Sequence, residues 1–480
     1  MNLFATKPMS RLLAESEGEH SLKRTLGPGS LIALGIGAII GAGIFTLTGI
    51  TAAQNAGPAI VLSFIGAALG CALAGLCYSE FSTMIPIAGS AYTYTYATMG
   101  ELLAWIIGWD LVLEYAVGAA TVSIGWSQTL VALLHNLGID LPLSLVASPF
   151  QPVTLADGST TYGVINLPAV LIVGVITMIL IIGIGESATA NSIIVVLKIT
   201  VVVVFIAVGW AYIRPSNHVP FIPPNTGTFG EFGWSGILKG AGVIFFAYIG
   251  FDAVSTAAQE TRNPQRDMPV GIIGSLVICT ILFILYSYVL TGLVPYKELG
   301  VAAPLSLALE KLPYPWLSLL MNLAVLAGLT SVMLVMLLGQ SRVFFSMSCD
   351  GLLPKLFSEV HPRFRTPWKS NLLLMIFVGL FSAFAPISVV GQMTSIGTLM
   401  AFVLVCGGIL IMRKTHASTP RPFRTPLVPL VPVLGILCNF ALMLGLGWSN
   451  WTRLVVWLAI GLAVYVRYSR HHSKLNFLPR

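Results

Sequence analysis

Charge is what this sequence has least of. Asp, Glu, Lys and Arg make up 9% of its 480 residues, against about 25% in an ordinary soluble domain. A chain so poor in polar groups cannot cover a water-soluble globule of its length, which argues against soluble enzymes, nucleic-acid readers and disordered scaffolds. Ligand clusters are missing too. The six Cys, at 71, 77, 279, 349, 406 and 438, stand singly in or beside apolar runs, without CxxC spacing or a His cluster. They read as packing residues, with no metal site and no disulfide framework. The start MNLFATKPMSRLLAESEGEHSLKR is polar and mixed in charge, unlike a cleavable leader. No nucleophile motif has assignable partners, and all seven His lie outside the predicted helix centres, which speaks against a membrane-embedded enzyme.

What the chain has instead is apolar length: 56% of it is hydrophobic. At roughly 20 residues per crossing, apolar spans fall near 31–55, 58–84, 101–134, 164–184, 191–213 and 236–258, then 270–293, 314–345, 371–388, 391–413, 427–448 and 451–468. These runs are far longer than the roughly 10 alternating residues of a barrel strand. The expectation is an all-α integral membrane protein with 12 transmembrane helices.

The net charge of +7 would suggest nucleic acid in a soluble chain, but its distribution reports topology. With the N-terminus inside, 19 of the 25 Lys and Arg fall in inside segments and only Arg214, Lys239, Lys297, Lys311 and Arg453 outside. That bias places both termini in the cytoplasm, and nucleic-acid binding has no support.

Two spans are poorly suited to be continuous helices. The first contains GIGAIIGAGIF, with Gly35, Gly37, Gly41 and Gly43, and each interior glycine costs a helix about 1 kcal/mol relative to alanine. Close packing through small residues is one reading. The other is a broken helix whose freed amides and carbonyls line a site. The sixth span reads FFAYIGFDAVSTAAQE, with Gly250 among aromatics and Asp252 deep in the run. Spans one and six are five apart, the spacing of a 5+5 inverted repeat with two discontinuous helices crossing at mid-membrane.

These residues resemble the amino acid/polyamine/organocation transporter superfamily, and within it the bacterial members of the cationic amino acid transporter family. The resemblance rests on GIGAIIGAGIF, on YSEFSTMIPIAGSAYTYTY from Tyr78 to Tyr96, on FFAYIGFDAVSTAAQETRNPQRDMP from Phe245 to Pro269, and on GQSRVFFSMSCDGLLPKLFSEVHP from Gly339 to Pro362. It covers essentially the whole chain. It implies a LeuT-like transport core over 31–413, with repeats of about 31–213 and 236–413, two further helices within 427–468, and cytoplasmic tails at 1–30 and 469–480.

Few charges remain inside the spans, where each costs about 2.5 to 3.5 kcal/mol on insertion scales. Asp110 and Glu114 are four apart and share a helix face, Lys198 interrupts IIVVLKITVVVVF, and Asp252 lies in span six. A lysine removed from water can exchange a proton near neutral pH, or it can be a permanent cation held by an acid or by carbonyls. The resemblance implies coupling: Lys198 matches a lysine that replaces a sodium ion in sodium-driven relatives and contacts the broken first helix.

By the same resemblance, the amides of Gly41, Ala42 and Gly43 bind a substrate carboxylate. The carbonyls of Ile40, Phe246, Ala247 and Ile249 take its ammonium, and Glu114, Asp252 and Met336 line the side-chain pocket. Ala42 departs from the usual Thr or Ser, which removes a side-chain contact. Cys349 departs from the usual Arg before Asp350, which puts a cytoplasmic salt bridge in doubt. Met336 is bulkier than the small polar residue of arginine-transporting relatives and favours small neutral substrates, unless it only packs its helix.

The reading is a permease for small neutral L-amino acids in the plasma (inner) membrane, working by alternating access, with a proton as coupling ion. It needs no cofactor and no metal, and its partners are the amino acid and the lipid bilayer, with no obligate protein partner evident. An exchanger, a cationic amino acid carrier and a non-transporting sensor remain as alternatives.

Overall fold

The computed structural model describes residues 5–8, 26–85, 90–150, 152–154, 160–183, 188–258 and 261–477. Most of the expected N-terminal tail, including Arg11, Lys23 and Arg24, lies outside these residues, as does Arg480.

Every predicted apolar run coincides with helix. In chain order these are α1 Pro28–Ile39, α2 Ile60–Met84, α3 Ser90–Thr98, α4 Glu101–Val112, α5 Gly118–Asn136, α6 Leu167–Ile182, α7 Ala188–Trp210 and α8 Gly233–Ile244. Then come α9 Ala253–Thr256, α10 Pro264–Leu293, α11 Pro304–Glu310, α12 Pro315–Cys349, α13 Trp368–Phe384, α14 Ile387–Thr415, α15 Leu430–Gly445 and α16 Trp448–Val464. Among the described residues, eight stretches are long and apolar enough to cross a membrane, and α1, α6, α13 and α15 are shorter apolar helices. At 1.5 Å per residue, the 12 residues of α1 reach about 18 Å, roughly half of a 30 Å hydrocarbon core. The rest of the first span runs on as the π turn Gly43–Leu47, the short helix Thr48–Thr51 and a second π turn, Ala52–Ala56.

The all-helical expectation holds for the bundle, and one connection adds a short strand pair to it. Between α5 and α6, β1 Pro152–Thr154 pairs antiparallel with β2 Thr160–Tyr162, Val153 opposite Thr161. This connection lies outside the apolar runs, so its backbone is not confined to the internal hydrogen bonding that lipid imposes. Another difference is the start of the seventh span, read at 270 and found at Pro264, the first helical position. Proline is well suited there, because its missing N–H would have had no intrahelical partner.

The helices enclose a buried centre around the two glycine-rich breaks. α10 packs on α1 and α2, α12 packs on α5 and α7, and α14 runs beside α4, α5 and α15. The break in the sixth span is pinned by its own aromatic rings. Phe251 meets Tyr78 edge-on at 5.8 Å and Phe402 at 5.1 Å, while Tyr248 packs on Phe283 at 5.3 Å and donates its hydroxyl to the Phe64 carbonyl at 3.2 Å. Rings buried on neighbouring helices hold the unwound backbone in one place.

Candidate functional site

The first break leaves backbone groups without helical partners. α1 closes with the Ile40 amide donating to the Ile36 carbonyl at 2.9 Å, and the next bond of the span runs from the Phe45 amide to the Gly41 carbonyl at 3.4 Å. The amides of Gly41, Ala42, Gly43 and Ile44 fall outside both series, as the first donors of any helix do. They also carry the positive end of the second half's dipole, the ordinary setting for an anion such as a carboxylate.

The sixth span breaks in a complementary way. α8 passes into a tight 3-10 turn over Phe245–Tyr248, Ile249 is extended at φ −60° and ψ 134°, and Gly250 turns the chain at φ +118°. Only glycine adopts that last conformation without strain. The local bonds run from Ile249 to Phe246 at 3.2 Å, from Ala253 to Gly250 at 3.1 Å and from Val254 to Phe251 at 3.2 Å. The carbonyls of Ala247 and Ile249 are outside that series, whereas the Phe246 carbonyl already accepts one amide and keeps one lone pair. The two breaks touch. A β-carbon on Gly43 would collide with Cα of Ala247, and one on Gly250 would lie 2.9 Å from the carbonyl of Ala38. Free donors of one span and free acceptors of the other therefore face a common centre.

Three further helices wall this centre. On α12, Val332 is 3.4 Å from where a Gly41 β-carbon would be, and Met336, one turn on, places Sδ 3.4 Å from the same point on Gly118. Thr394 of α14 reaches that point at 3.5 Å, and Ala42 turns its methyl toward Gly125 of α5. Met336 thus fills the space between the third, eighth and tenth spans. Glu114 lies in a π turn, Leu113–Val117, between α4 and α5; such turns recur at functional sites because they widen a helix locally.

The acids of this region are buried with unfilled acceptor capacity. Asp252 accepts a hydrogen bond from the Tyr115 hydroxyl at 2.6 Å and a longer one from Ser90 at 3.5 Å, both on Oδ2. Its Oδ1 has no donor, nor has either oxygen of Glu114 or of Asp110. The Glu114 carboxyl faces Asp252 and Thr398, but the Thr398 hydroxyl gives its proton to the Thr394 carbonyl at 3.0 Å. Asp110 points instead toward Gly397 of α14. Among the described residues no group of three or more His, Cys, Asp or Glu is arranged to hold a metal ion.

Lys198 is 1% exposed. Its ammonium donates to the Gly37 carbonyl at 2.6 Å, one of the last carbonyls of α1, which have no amide to accept from. The lysine of α7 is thereby tied to the broken end of the first span, on the opposite side of the break from the free amides.

The structure brings Gly43 against Ala247, Glu114 beside Asp252 and Met336 against Gly118, and ties Lys198 to Gly37. Sequence reasoning missed Tyr115, whose hydroxyl orients Asp252; its one signal was its place next to Glu114 in an otherwise apolar stretch. It also missed what replaces the arginine absent at Cys349. Asp350 accepts from Lys7 at 2.8 Å and from the Tyr92 hydroxyl at 2.8 Å.

Known proteins give this arrangement a context. The family model described as amino acid permease matches residues 26–466. The chain is 46% identical to the branched-chain amino acid permease BcaP of Bacillus subtilis over 476 residues, covering 99% of each chain. It is 43% identical to the methylthioribose transporter of the same organism over 475 residues, again 99% of each. It is 30% identical to the vacuolar cationic amino acid transporter 4 of Arabidopsis thaliana over 97% of this chain and 94% of that one. All of these are transporters and not enzymes, and with helices long enough to span a membrane around two facing backbone breaks, this chain belongs to the amino acid permease family.

Proposed function

We propose that this permease is a proton-coupled symporter of neutral aliphatic L-amino acids. The observation that carries the reading is the contact from Lys198 on α7 to the Gly37 carbonyl at the broken end of α1. A charged lysine there holds the first span against the fifth, and loss of its proton removes that tie. Proton binding and the position of a broken helix are then one equilibrium, which is what coupling requires.

The substrate class follows from the centre. Free amides at Gly41, Ala42 and Gly43 suit a carboxylate, and the carbonyls of Ile40, Ala247 and Ile249, with the remaining lone pair of Phe246, suit an ammonium. These groups read the part common to all amino acids. Met336 occupies the space into which a long side chain would extend and presents an apolar surface, which favours small and branched aliphatic substrates. The relative named for branched-chain amino acids supports this choice; a methylthio-sugar offers neither carboxylate nor ammonium to the two breaks.

The surrounding architecture is read as twelve crossings, with a 5+5 inverted repeat over 31–413, two added helices within 427–468 and both termini in the cytoplasm, in a plasma (inner) membrane. What supports the repeat is that its two breaks are five spans apart and pack on each other. Alternating access by one bundle rocking against the other fits a site at such a crossing.

The test is uptake into empty proteoliposomes driven only by an inward proton gradient, with alanine, valine, leucine, arginine and methylthioribose as substrates. Leucine or alanine should accumulate, and Lys198→Ala should abolish accumulation while counterflow exchange persists. Gradient-driven accumulation that survives Lys198→Ala overturns the coupling assignment. Uptake that occurs only against preloaded substrate identifies an exchanger.

A further inference from the structure

Gly328 lies in the interior of α12, where glycine costs about 1 kcal/mol relative to alanine and no turn or reversed backbone calls for it. What lies over it is Lys198. A β-carbon at Gly328 would be 3.0 Å from both Cγ and Cε of Lys198 and 3.5 Å from Cδ. The lysine stem therefore lies flat along α12 across the missing side chain, and its far end reaches the Gly37 carbonyl at 2.6 Å.

We infer that Gly328 is a positioning residue for the coupling lysine: its bare backbone forms a trough that aims the Lys198 ammonium at the broken end of α1. The inference rests on the reading of Lys198 as the proton site. Any β-carbon at 328 pushes the stem away from α12 by a few tenths of an ångström at two atoms, and a hydrogen bond to a carbonyl weakens over such shifts.

The neighbourhood makes the ammonium sensitive to its position. α7 carries no other titratable group, and α1 carries none. On α12 the ionisable residues are Arg342 and Cys349, roughly 21 Å or more along the helix from Gly328 at 1.5 Å per residue. From α10, Cys279 faces Lys198, and Arg266 and Asp267 lie roughly 18 Å or more from Cys279 along that helix. The Gly37 carbonyl at the end of α1 stabilises the charged form, and a displaced stem changes the pH at which the proton leaves.

The experiment measures the pH profile of gradient-driven leucine uptake, and separately the KM of gradient-free counterflow, for Gly328→Ala and Lys198→Ala. Gly174→Ala on α6 is the control, because a β-carbon there meets nothing within 4 Å. The expected result is a shift of the uptake midpoint by about half a pH unit or more in Gly328→Ala, about a threefold change in proton affinity. Counterflow KM should stay unchanged, and Gly174→Ala should be silent in both assays. An unshifted profile in Gly328→Ala, with Lys198→Ala inactive in gradient-driven uptake, overturns the positioning role and leaves the coupling lysine in place. A profile that Lys198→Ala does not alter overturns the coupling reading itself. If Gly328→Ala does not fold, the double variant with Lys198→Ala should fold, since the stem it collides with is gone; a double variant that also fails overturns the inference.

Discussion

Buried carboxyl groups occupy two regions of this molecule and meet opposite treatment. At the face where both tails dock, the acids are held by cations or by several hydroxyl groups. Glu80 Oε2 accepts from Arg413 at 2.8 Å and from the Thr425 amide at 2.8 Å, with the Arg421 Nε 3.2 Å from its other oxygen. Glu101 accepts from Tyr96 at 3.1 Å, Tyr465 at 3.0 Å and Ser473. At mid-span, Asp110 has no donor, and Glu114 and Asp252 face each other, with the Tyr115 hydroxyl on Asp252. Burying a carboxyl group without a cation or several donors costs several kcal/mol, and the fold supplies those at the rim more fully than at its centre. The rim acids fasten distant elements together: Glu80 ties α2 to Arg413 and Arg421, and Glu101 ties α4 to Tyr465 and Ser473.

The contrast is sharpest where a fastening acid is removed. Glu80→Ala takes the carboxylate from Arg413 and Arg421, and should lower stability by about 3 kcal/mol, read as a lower unfolding temperature in detergent with transport per folded molecule retained. A substitution that leaves stability unchanged would erase the distinction between the two regions.

The mid-span acid should behave in the reverse manner. Glu114→Gln breaks no ion pair, so stability should move by less than about 1 kcal/mol, while the apparent affinity for neutral substrates falls about tenfold, equivalent to 1.4 kcal/mol of lost binding. Loss of folding with unaltered affinity would make Glu114 a structural residue.

The smallest expected effect probes the same open acids from the ligand's side. Met336→Ser removes apolar bulk between α5, α12 and α14, and admits a longer side chain whose cationic end finds Glu114 and Asp252 undersupplied with donors. Arginine or lysine should then compete with leucine uptake a few-fold better than in the parent chain. Competition profiles that do not move show that Met336 only packs its helix.

Much of this was legible in one dimension, and the exceptions share a cause. The glycines of GIGAIIGAGIF and the aromatic-glycine pair at 248–250 marked both breaks, because loss of helix propensity is a property of the local sequence. Asp110 and Glu114 were placed on one helix face from their spacing. The π turn at 113–117 contains Glu114, and Asp110 turns toward Gly397 while Glu114 faces Asp252. Cys349 suggested a missing salt bridge, yet Asp350 has a cation in Lys7, 343 positions away in the chain. The strand pair at 152–154 and 160–162 had no signal strong enough to stand out between two apolar runs. Gly328 looked like any other small residue in a membrane helix.

The sequence by itself determined the solvent, the helical class and the positions of the two breaks. All of these depend on run length, composition and neighbours within a few residues. Only the tertiary structure decided which buried charges are satisfied, that Gly43 meets Ala247, and that Lys198 lies across Gly328 to reach Gly37. Hydrogen bonds and packing act over about 3 to 4 Å, so the partners in each case are set by how distant helices are brought together.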